Sequence, residues 1–109
     1  MTTTYKVLGQ SNPAATTLTT LYTVPSATST VGSTLMVCNQ GSTTTTFSVA
    51  VRPAGASIAS QHYLSYLTPI GANDSIAMTI GITLATTDVV SVYANTATVS
   101  FSLFGSEIS

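Results

Sequence analysis

The chain has 109 residues, of which only five are charged, and serine and threonine together fill 37 positions. Two basic residues and a net charge of −1 cannot neutralise a run of phosphates, so the composition argues against nucleic acid and anionic lipid as partners. One cysteine and one histidine leave no internal disulfide, no cysteine-based zinc site and little material for acid–base chemistry.

The sequence carries no targeting or membrane signal. Its first residues lack a basic segment followed by an apolar one, so no signal peptide is predicted. The longest apolar stretch, Ile76–Leu84, is interrupted by Thr79, Gly81 and Thr83, and it is far shorter than the roughly 18 residues of a membrane-spanning helix. We therefore expect no membrane partner.

Alternating apolar and polar residues predict β-strands along the whole chain. Threonine is β-branched and favours a pleated sheet over a helix, and the period of two marks the individual elements. In chain order the predicted strands are Tyr5–Leu8, Leu18–Val24, Thr34–Asn39, Thr44–Arg52, Gln61–Leu67, Ser75–Thr83, Asp88–Ala94 and Thr98–Phe104. Pro69–Asp74 is predicted to be a turn.

Three of these strands carry a distinct burial pattern. Thr34–Asn39 is almost continuously apolar, so we expect it to be buried on both faces. Thr44–Arg52 and Ser75–Thr83 alternate regularly, which predicts one apolar and one small or polar face for each. The apolar faces are Phe47, Val49 and Val51 in the first strand, and Ile76, Met78, Ile80 and Ile82 in the second.

The spacing of strands and turns predicts an all-β fold. About eight short strands separated by turn signals are typical of an antiparallel β-sandwich or a small jelly roll, with a closed barrel as the alternative. We predict a single domain over residues 1–109, and we consider residues 1–16 as an extended N-terminal arm. The apolar content excludes a disordered, mucin-like stalk.

Few residues are candidates for catalysis or metal binding. His62 would need Asp74 or Asp88 and a serine beside it, and the Gly-x-Ser-x-Gly motif of serine hydrolases is absent. Both aspartates follow turn residues, where such side chains cap their own backbone. Cys38 has no cationic neighbour and is expected to be a small buried side chain. We expect no enzyme, no metal and no cofactor.

Arg52 and two tyrosines are the remaining side chains of interest. Arg52 is predicted either to pair with a carboxylate, on a partner subunit or on Asp74 or Glu107, or to be a solvated charge that protects an edge strand. Tyr63 and Tyr66 lie three residues apart and face opposite ways in a straight strand. That spacing argues against a sugar-stacking platform.

The scarcity of charge is the strongest indication of function. An isolated soluble domain carries more surface charge than this chain, whereas interfaces of permanent assemblies are depleted in charge. Threonine presents a methyl and a hydroxyl group, so a threonine-rich sheet packs and hydrogen-bonds without desolvating ions. We therefore expect homo-oligomerisation and attachment to a larger scaffold.

Several sequence blocks, in their order along the chain, resemble small virion structural proteins of tailed bacteriophages, notably cyanophages and other aquatic phages. The resemblance covers about Tyr22 to Glu107. Its blocks are Tyr22-Thr23-Val24-Pro25, Val37-Cys38-Asn39-Gln40-Gly41, Phe47-Ser48-Val49-Ala50-Val51-Arg52-Pro53-Ala54-Gly55, His62-Tyr63-Leu64 and Ile80-Gly81-Ile82-Thr83-Leu84.

The resemblance implies a capsid decoration or cement protein that binds the outside of the head after assembly in the host cytoplasm. The implied partners are the major capsid protein and further copies of the chain, with a trimer favoured. A small tail, baseplate or fibre-attachment protein is the alternative, and a carbohydrate- or receptor-binding module is a third. The candidate partner-binding residues are Thr2, Thr3, Thr4, Tyr5 and Lys6 near the N-terminus, Arg52, Ala54 and Ile58 in a loop, and Glu107 near the C-terminus.

Overall fold

The computed structural model describes all residues from Met1 to Ser109, and strands form most of it. The strands are β1 (Thr3–Ser11), β2 (Thr19–Thr23), β3 (Ser29–Asn39), β4 (Thr45–Arg52), β5 (Tyr63–Ile70), β6 (Ser75–Leu84), β7 (Val89–Ala94) and β8 (Val99–Ile108). Two short 3-10 turns, Pro53–Gly55 and Ser60–His62, lie between β4 and β5. The predicted all-β class with eight strands is confirmed.

The strands form two antiparallel sheets of four strands each. Sheet A has the order β1-β8-β3-β6, and sheet B has the order β2-β7-β4-β5. The pairs β1–β8, β2–β7, β3–β6 and β4–β5 are those of one long hairpin with its tip between β4 and β5. When that long hairpin rolls up on itself, strands from different parts of it become neighbours, which gives the two further pairs β3–β8 and β4–β7. This connectivity is that of a jelly roll rather than a closed barrel.

The N-terminal segment is part of sheet A and not a free arm. Within the segment 1–16, all of β1 pairs with β8, from Thr3 opposite Ile108 to Ser11 opposite Phe101. Backbone hydrogen bonds of 2.6 and 2.9 Å join Thr2 to Ser109 in both directions. The strand is longer than predicted because its first residues are threonines without apolar alternation, and a bulge at Leu8 interrupts the pattern further on.

The two sheets pack face to face around a continuous apolar core. The rings of Phe47 and Phe101 meet edge to face with their centroids 6.0 Å apart, a favourable arrangement for aromatic pairs. Where β1 approaches β2, a side chain at Gly9 would overlap the carbonyl oxygen of Leu21. Glycine at this position therefore allows the two sheets to close along their β1 and β2 edges.

Strand ends differ from the predictions at places where tertiary pairing overrides the local pattern. Pro69 was predicted to begin a turn, yet it lies inside β5 opposite Thr46. Proline is tolerated there because β5 is an edge strand and needs no donor on its outer side. The start of β3 was predicted at Thr34, whereas pairing begins at Ser29 and continues past a bulge at Ser33.

The outer sides of the two sheets differ in burial. In β3, Leu35 and Val37 are completely buried, but Met36 and Cys38 on the outer side of sheet A are only half-buried. The prediction of burial on both faces is therefore wrong, because no layer covers sheet A from outside. Ser48 and Ala50 on the outer side of sheet B are 2% and 0% exposed. There the 3-10 turns contact β4 and β7, and the Leu67 amide of β5 donates to Ser48 Oγ over 2.9 Å.

Candidate functional site

The predicted partner-binding residues lie in two separate regions. Thr2–Lys6 run along the exposed edge of sheet A, and Glu107 lies beside them on β8. Arg52 is the last residue of β4 in sheet B, and Ala54 and Ile58 lie in the connection that follows it to β5. We call residues 53–62 the hairpin tip. The structure thus joins the two terminal segments into one surface and separates them from the hairpin tip.

Lys6 and Glu107 form the single ion pair of the molecule. Lys6 Nζ lies 3.2 Å from Glu107 Oε1, and the hydroxyl of Tyr22 in sheet B donates to Glu107 Oε2 over 2.5 Å. The Tyr22 hydroxyl also lies 2.8 Å from Thr30 Oγ1. Glu107 therefore bridges the two sheets at one end of the sandwich, where a mostly buried tyrosine needs a hydrogen-bond partner.

This cluster shifts the pKa values of its two acidic groups in opposite directions. The hydrogen bond from Tyr22, followed by the bond and charge of Lys6, lowers the pKa of Glu107 below its ordinary value. Burial, followed by the hydrogen bond to Glu107, raises the pKa of Tyr22 to about 12. Each group keeps the protonation state that the hydrogen bond requires, so the cluster acts as a sheet-to-sheet clamp.

Arg52 bonds within its own sheet and has no carboxylate partner in the chain. Its Nε donates to Ser91 Oγ over 3.2 Å, and one terminal nitrogen donates to the Ala56 carbonyl over 3.2 Å. The predicted intramolecular pair with Asp74 or Glu107 is wrong, because both carboxylates are engaged elsewhere. The edge-strand alternative is wrong as well, since β4 is an inner strand. Arg52 instead fastens the hairpin tip onto β7.

His62 and the two aspartates do not form a shared site. Asp88 accepts hydrogen bonds from the backbone amides of Ala54 and Ala85, both at 2.9 Å, and Asp74 accepts one from Ser75 at 2.8 Å. The prediction that both aspartates cap turns is confirmed. His62 lies in a 3-10 turn rather than a strand, and its Nδ1 accepts a hydrogen bond from the Ala59 amide at 3.0 Å.

The outer side of sheet A exposes apolar side chains with almost no charge among them. Val7 lies opposite Phe104, which lies opposite Thr34, and a parallel row joins Tyr5, Ser106 and Val31. We call these six residues the uncovered face. Tyr5 is 84% and Val7 47% exposed. A groove of about 380 Å³ crosses this face, and Lys6 is the one charged residue that lines it.

Sequence reasoning identified Tyr5 of this face but missed Val7 and Phe104. A local signal for Phe104 exists, because it follows Leu103 directly in a strand that otherwise alternates. Two adjacent apolar residues in a strand point to opposite faces, so one of them must lie outside the core. Val7 carries the same signal, because Leu8 follows it directly in β1 and is buried while Val7 is exposed.

Three tyrosines gather on the outer side of sheet B. Tyr63 and Tyr66 meet edge to face with their ring centroids 4.8 Å apart, and they line a concavity of about 260 Å³ together with Tyr93, Ser48 and Leu67. The prediction that Tyr63 and Tyr66 face opposite ways is therefore wrong. Extra residues in β5 shift its register against β4, and such bulges bring side chains three apart onto one side.

Comparisons with known proteins assign no relative to this chain. It matches no protein-family model, no curated protein and no solved structure. Among its structural elements there is no helix of the length and apolar character needed to cross a membrane. No group of three or more potential metal ligands of the His, Cys, Asp and Glu types comes together in the fold.

Proposed function

We propose that the protein is a non-enzymatic virion structural protein of a tailed bacteriophage, and specifically a decoration or cement protein that binds the outside of the capsid. The observation that carries this proposal is the uncovered face of sheet A. It offers the exposed side chains of Tyr5 and Val7 and the half-buried ring of Phe104 on a sheet whose other side packs against the core. The partner is the major capsid protein.

The chemistry of this face suits a permanent contact. Hydroxyl-bearing and apolar side chains enter an interface without the cost of desolvating ions. Burial contributes about 25 cal/mol per Å² of apolar surface before the cost of association. The jelly roll is a common fold of viral capsid domains, and the resemblance of the sequence blocks to phage virion proteins points the same way. A fold alone does not identify a function, so the face must be tested directly.

The mechanism follows from preferential binding to one state of the shell. A protein that binds the expanded shell and not its precursor stabilises the expanded state by mass action. Many copies on one particle, or an oligomer such as the favoured trimer, add avidity because several contacts must release together. No step requires a catalytic side chain. The protein would act at junctions between capsomers on the outer surface of the virion.

Reconstitution on phage heads tests this proposal. Purified protein is mixed with expanded heads that lack it, and the bound fraction and the heat resistance of the heads are measured. Phe104→Asp on the uncovered face is expected to reduce binding at least tenfold. Thr20→Asp on the β2 edge of sheet B places the same charge on an exposed site outside that face, and it is expected to bind normally.

The position of the protein in an intact particle gives the decisive result. Density on the outer surface of the head supports the cement role. Density in the tail or baseplate alone would reject that role and favour the alternative of a small tail, baseplate or fibre-attachment protein. Equal binding of Phe104→Asp and the unaltered protein would show that the uncovered face is not the contact.

The tyrosine concavity favours a carbohydrate-binding module as a second candidate. Exposed aromatic rings stack on sugar rings, and jelly rolls also occur among lectins. Tyr66 is 63% exposed, and Tyr63 and Tyr93 lie beside it. Glycan-array binding by the isolated protein, lost in Tyr66→Ala and kept in Phe104→Asp, would favour this function. Absence of glycan binding at high protein concentration would exclude it.

A further inference from the structure

The four edges of the two sheets are protected to different degrees. Edge strands expose unpaired backbone groups, and proteins protect them with charges, prolines, bulges or short length. β1 carries Lys6 and a bulge, β2 has only five residues, and β5 contains Pro69 and two register shifts. β6 has ten residues and contains no charge and no proline. Its register shift, at Ile80 and Gly81, lies beyond Thr79, so the run Ser75–Thr79 is protected by no charge, no proline and no bulge.

The first half of β6 is also the most regular part of this edge. Ser75–Thr79 pair residue by residue with Cys38–Thr34, and the register shifts only beyond Thr79. Ile76 and Met78 point inward and are half-buried, whereas Ser75, Ala77 and Thr79 are exposed on the outer side. The run therefore offers an unpaired backbone with apolar side chains on one face and small, uncharged side chains on the other.

We propose that β6 pairs antiparallel with β6 of a second copy of this chain, with the two-fold axis at Ala77. In this register Ser75 lies opposite Thr79 of the second copy, and Ile76 lies opposite Met78. In this register, side chains that point inward lie opposite side chains that point inward, so the two strands keep the same faces towards the core and towards solvent. Sheet A becomes one continuous eight-stranded sheet, and the half-buried Ile76 and Met78 of both copies cover each other.

The occupant of this edge is a second copy because the segment is complementary to itself. In a two-fold contact the residue at the axis faces its own copy, so a charge at position 77 would face a like charge, and Ala77 carries none. The rest of Ser75–Thr79 is also uncharged. The smallest exposed side chain, Ala77, lies at the centre, where two identical side chains approach most closely. The joined sheet ends on both sides in β1, whose Lys6 and bulge oppose further growth. The contact does not depend on the capsid role.

Paired charge variants at Ala77 test this contact. Sedimentation at high micromolar concentration is expected to give twice the chain mass for the unaltered protein. Ala77→Lys and Ala77→Glu each place two like charges at the axis, so each variant alone is expected to weaken dimerisation at least tenfold. An equimolar mixture of the two is expected to restore the dimer. Thr20→Lys, an exposed site on the β2 edge, is the matched control and should remain dimeric.

Two results would overturn the proposal. One is a monomer for the unaltered protein at every concentration, and the other is an oligomer whose mass is unaffected by Ala77→Lys. A trimer insensitive to the Ala77 changes would show that another surface joins the copies. Thermal unfolding of each variant at low concentration checks that the fold is intact. Restored dimerisation in the mixture cannot come from misfolded chains, and none of these results bears on whether the protein binds phage heads.

Discussion

The outer sides of the two sheets are built from the same kinds of residue but are buried to different extents. On sheet B, Ala50 and Ser91 are at most 1% exposed, because the hairpin tip packs against β4 and β7 and Arg52 and Asp88 fasten it. Ser48, 2% exposed, accepts a hydrogen bond from the Leu67 amide of β5. On sheet A, Tyr5 and Val7 remain exposed. A sheet with almost no charge leaves apolar surface in water, and the chain covers that surface at the centre of sheet B but not at β5, where Tyr66 is 63% exposed.

The difference comes from where the connections of the rolled hairpin lie. The connection between β4 and β5 is the tip of the rolled hairpin, so it is free to fold over the sheet from which it emerges. No comparable connection lies over the outer side of sheet A. Assembly is therefore expected to use sheet A, through the uncovered face and the β6 edge.

The largest expected effect on stability is the difference between two substitutions that place a carboxylate on the outer side of sheet B and on the outer side of sheet A. Ala50→Asp buries a carboxylate under the hairpin tip, and we expect it to lower the free energy of unfolding by at least about 3 kcal/mol. Ala77→Asp on sheet A stays in water and should change this free energy by less than about 0.5 kcal/mol in the monomer. Urea unfolding at low protein concentration measures both. Equal losses would refute the difference in coverage.

The contribution of the Glu107–Tyr22 clamp to stability should depend on pH, and this dependence should not involve the outer side of either sheet. The pKa of Glu107 is lower in the folded protein than its ordinary value of 4.5, so its contribution to stability is complete above that value and disappears as the pH falls below it. The pKa of Tyr22 rises from 10.0 to about 12. Its contribution is complete below pH 10 and disappears as the pH rises towards 12.

Tyr22→Phe tests whether these two pH dependences share one cause. The variant removes the donor to Glu107, and we expect a loss of about 2 kcal/mol near neutral pH. The fall in stability between pH 10 and 12 should disappear, and the fall at acidic pH should become smaller. Urea unfolding across this pH range gives the comparison. An unchanged alkaline profile would mean that another group is responsible.

A smaller effect is expected from releasing the hairpin tip. Arg52→Ala removes the bonds to Ser91 and Ala56, and we expect it to lower the free energy of unfolding by about 1–2 kcal/mol. Hydrogen exchange and proteolysis should increase in residues 53–62 and leave β1 and β8 unchanged. Lys6→Ala on sheet A removes an exposed ion pair and should cost less than about 1 kcal/mol. Uniformly faster exchange would show that Arg52 supports the whole fold instead.

The smallest effect on folding is expected on the uncovered face. Val7→Ser changes a side chain that is already half in water, so the free energy of unfolding should change by less than about 0.5 kcal/mol. Binding to phage heads should nevertheless decrease, since this residue belongs to the proposed contact. Thermal unfolding and a head-binding assay separate the two effects. A large fall in stability would show that Val7 belongs to the core.

Local patterns predicted most strands because alternation and threonine content are properties of neighbouring residues. The inner face of β6, with Ile76, Met78, Ile80 and Ile82, follows directly from such a pattern. The capping roles of Asp74 and Asp88 do so as well, since each depends on the turn around it. Predictions were wrong for Tyr63 and Tyr66 and for Arg52, because bulges and contacts distant in sequence decide where those side chains point.

The sequence by itself determined an all-β chain with few charged residues on its surface. Both properties follow from composition and a period of two, which need no knowledge of the partners of each strand. Only the tertiary structure decided which side remains uncovered, because rolling one hairpin places its tip over sheet B and leaves sheet A bare. The same rolling brings Glu107 to Tyr22 and leaves β6 at an edge. Neither result is visible in the sequence, since the neighbours of a strand in a sheet are distant from it along the chain.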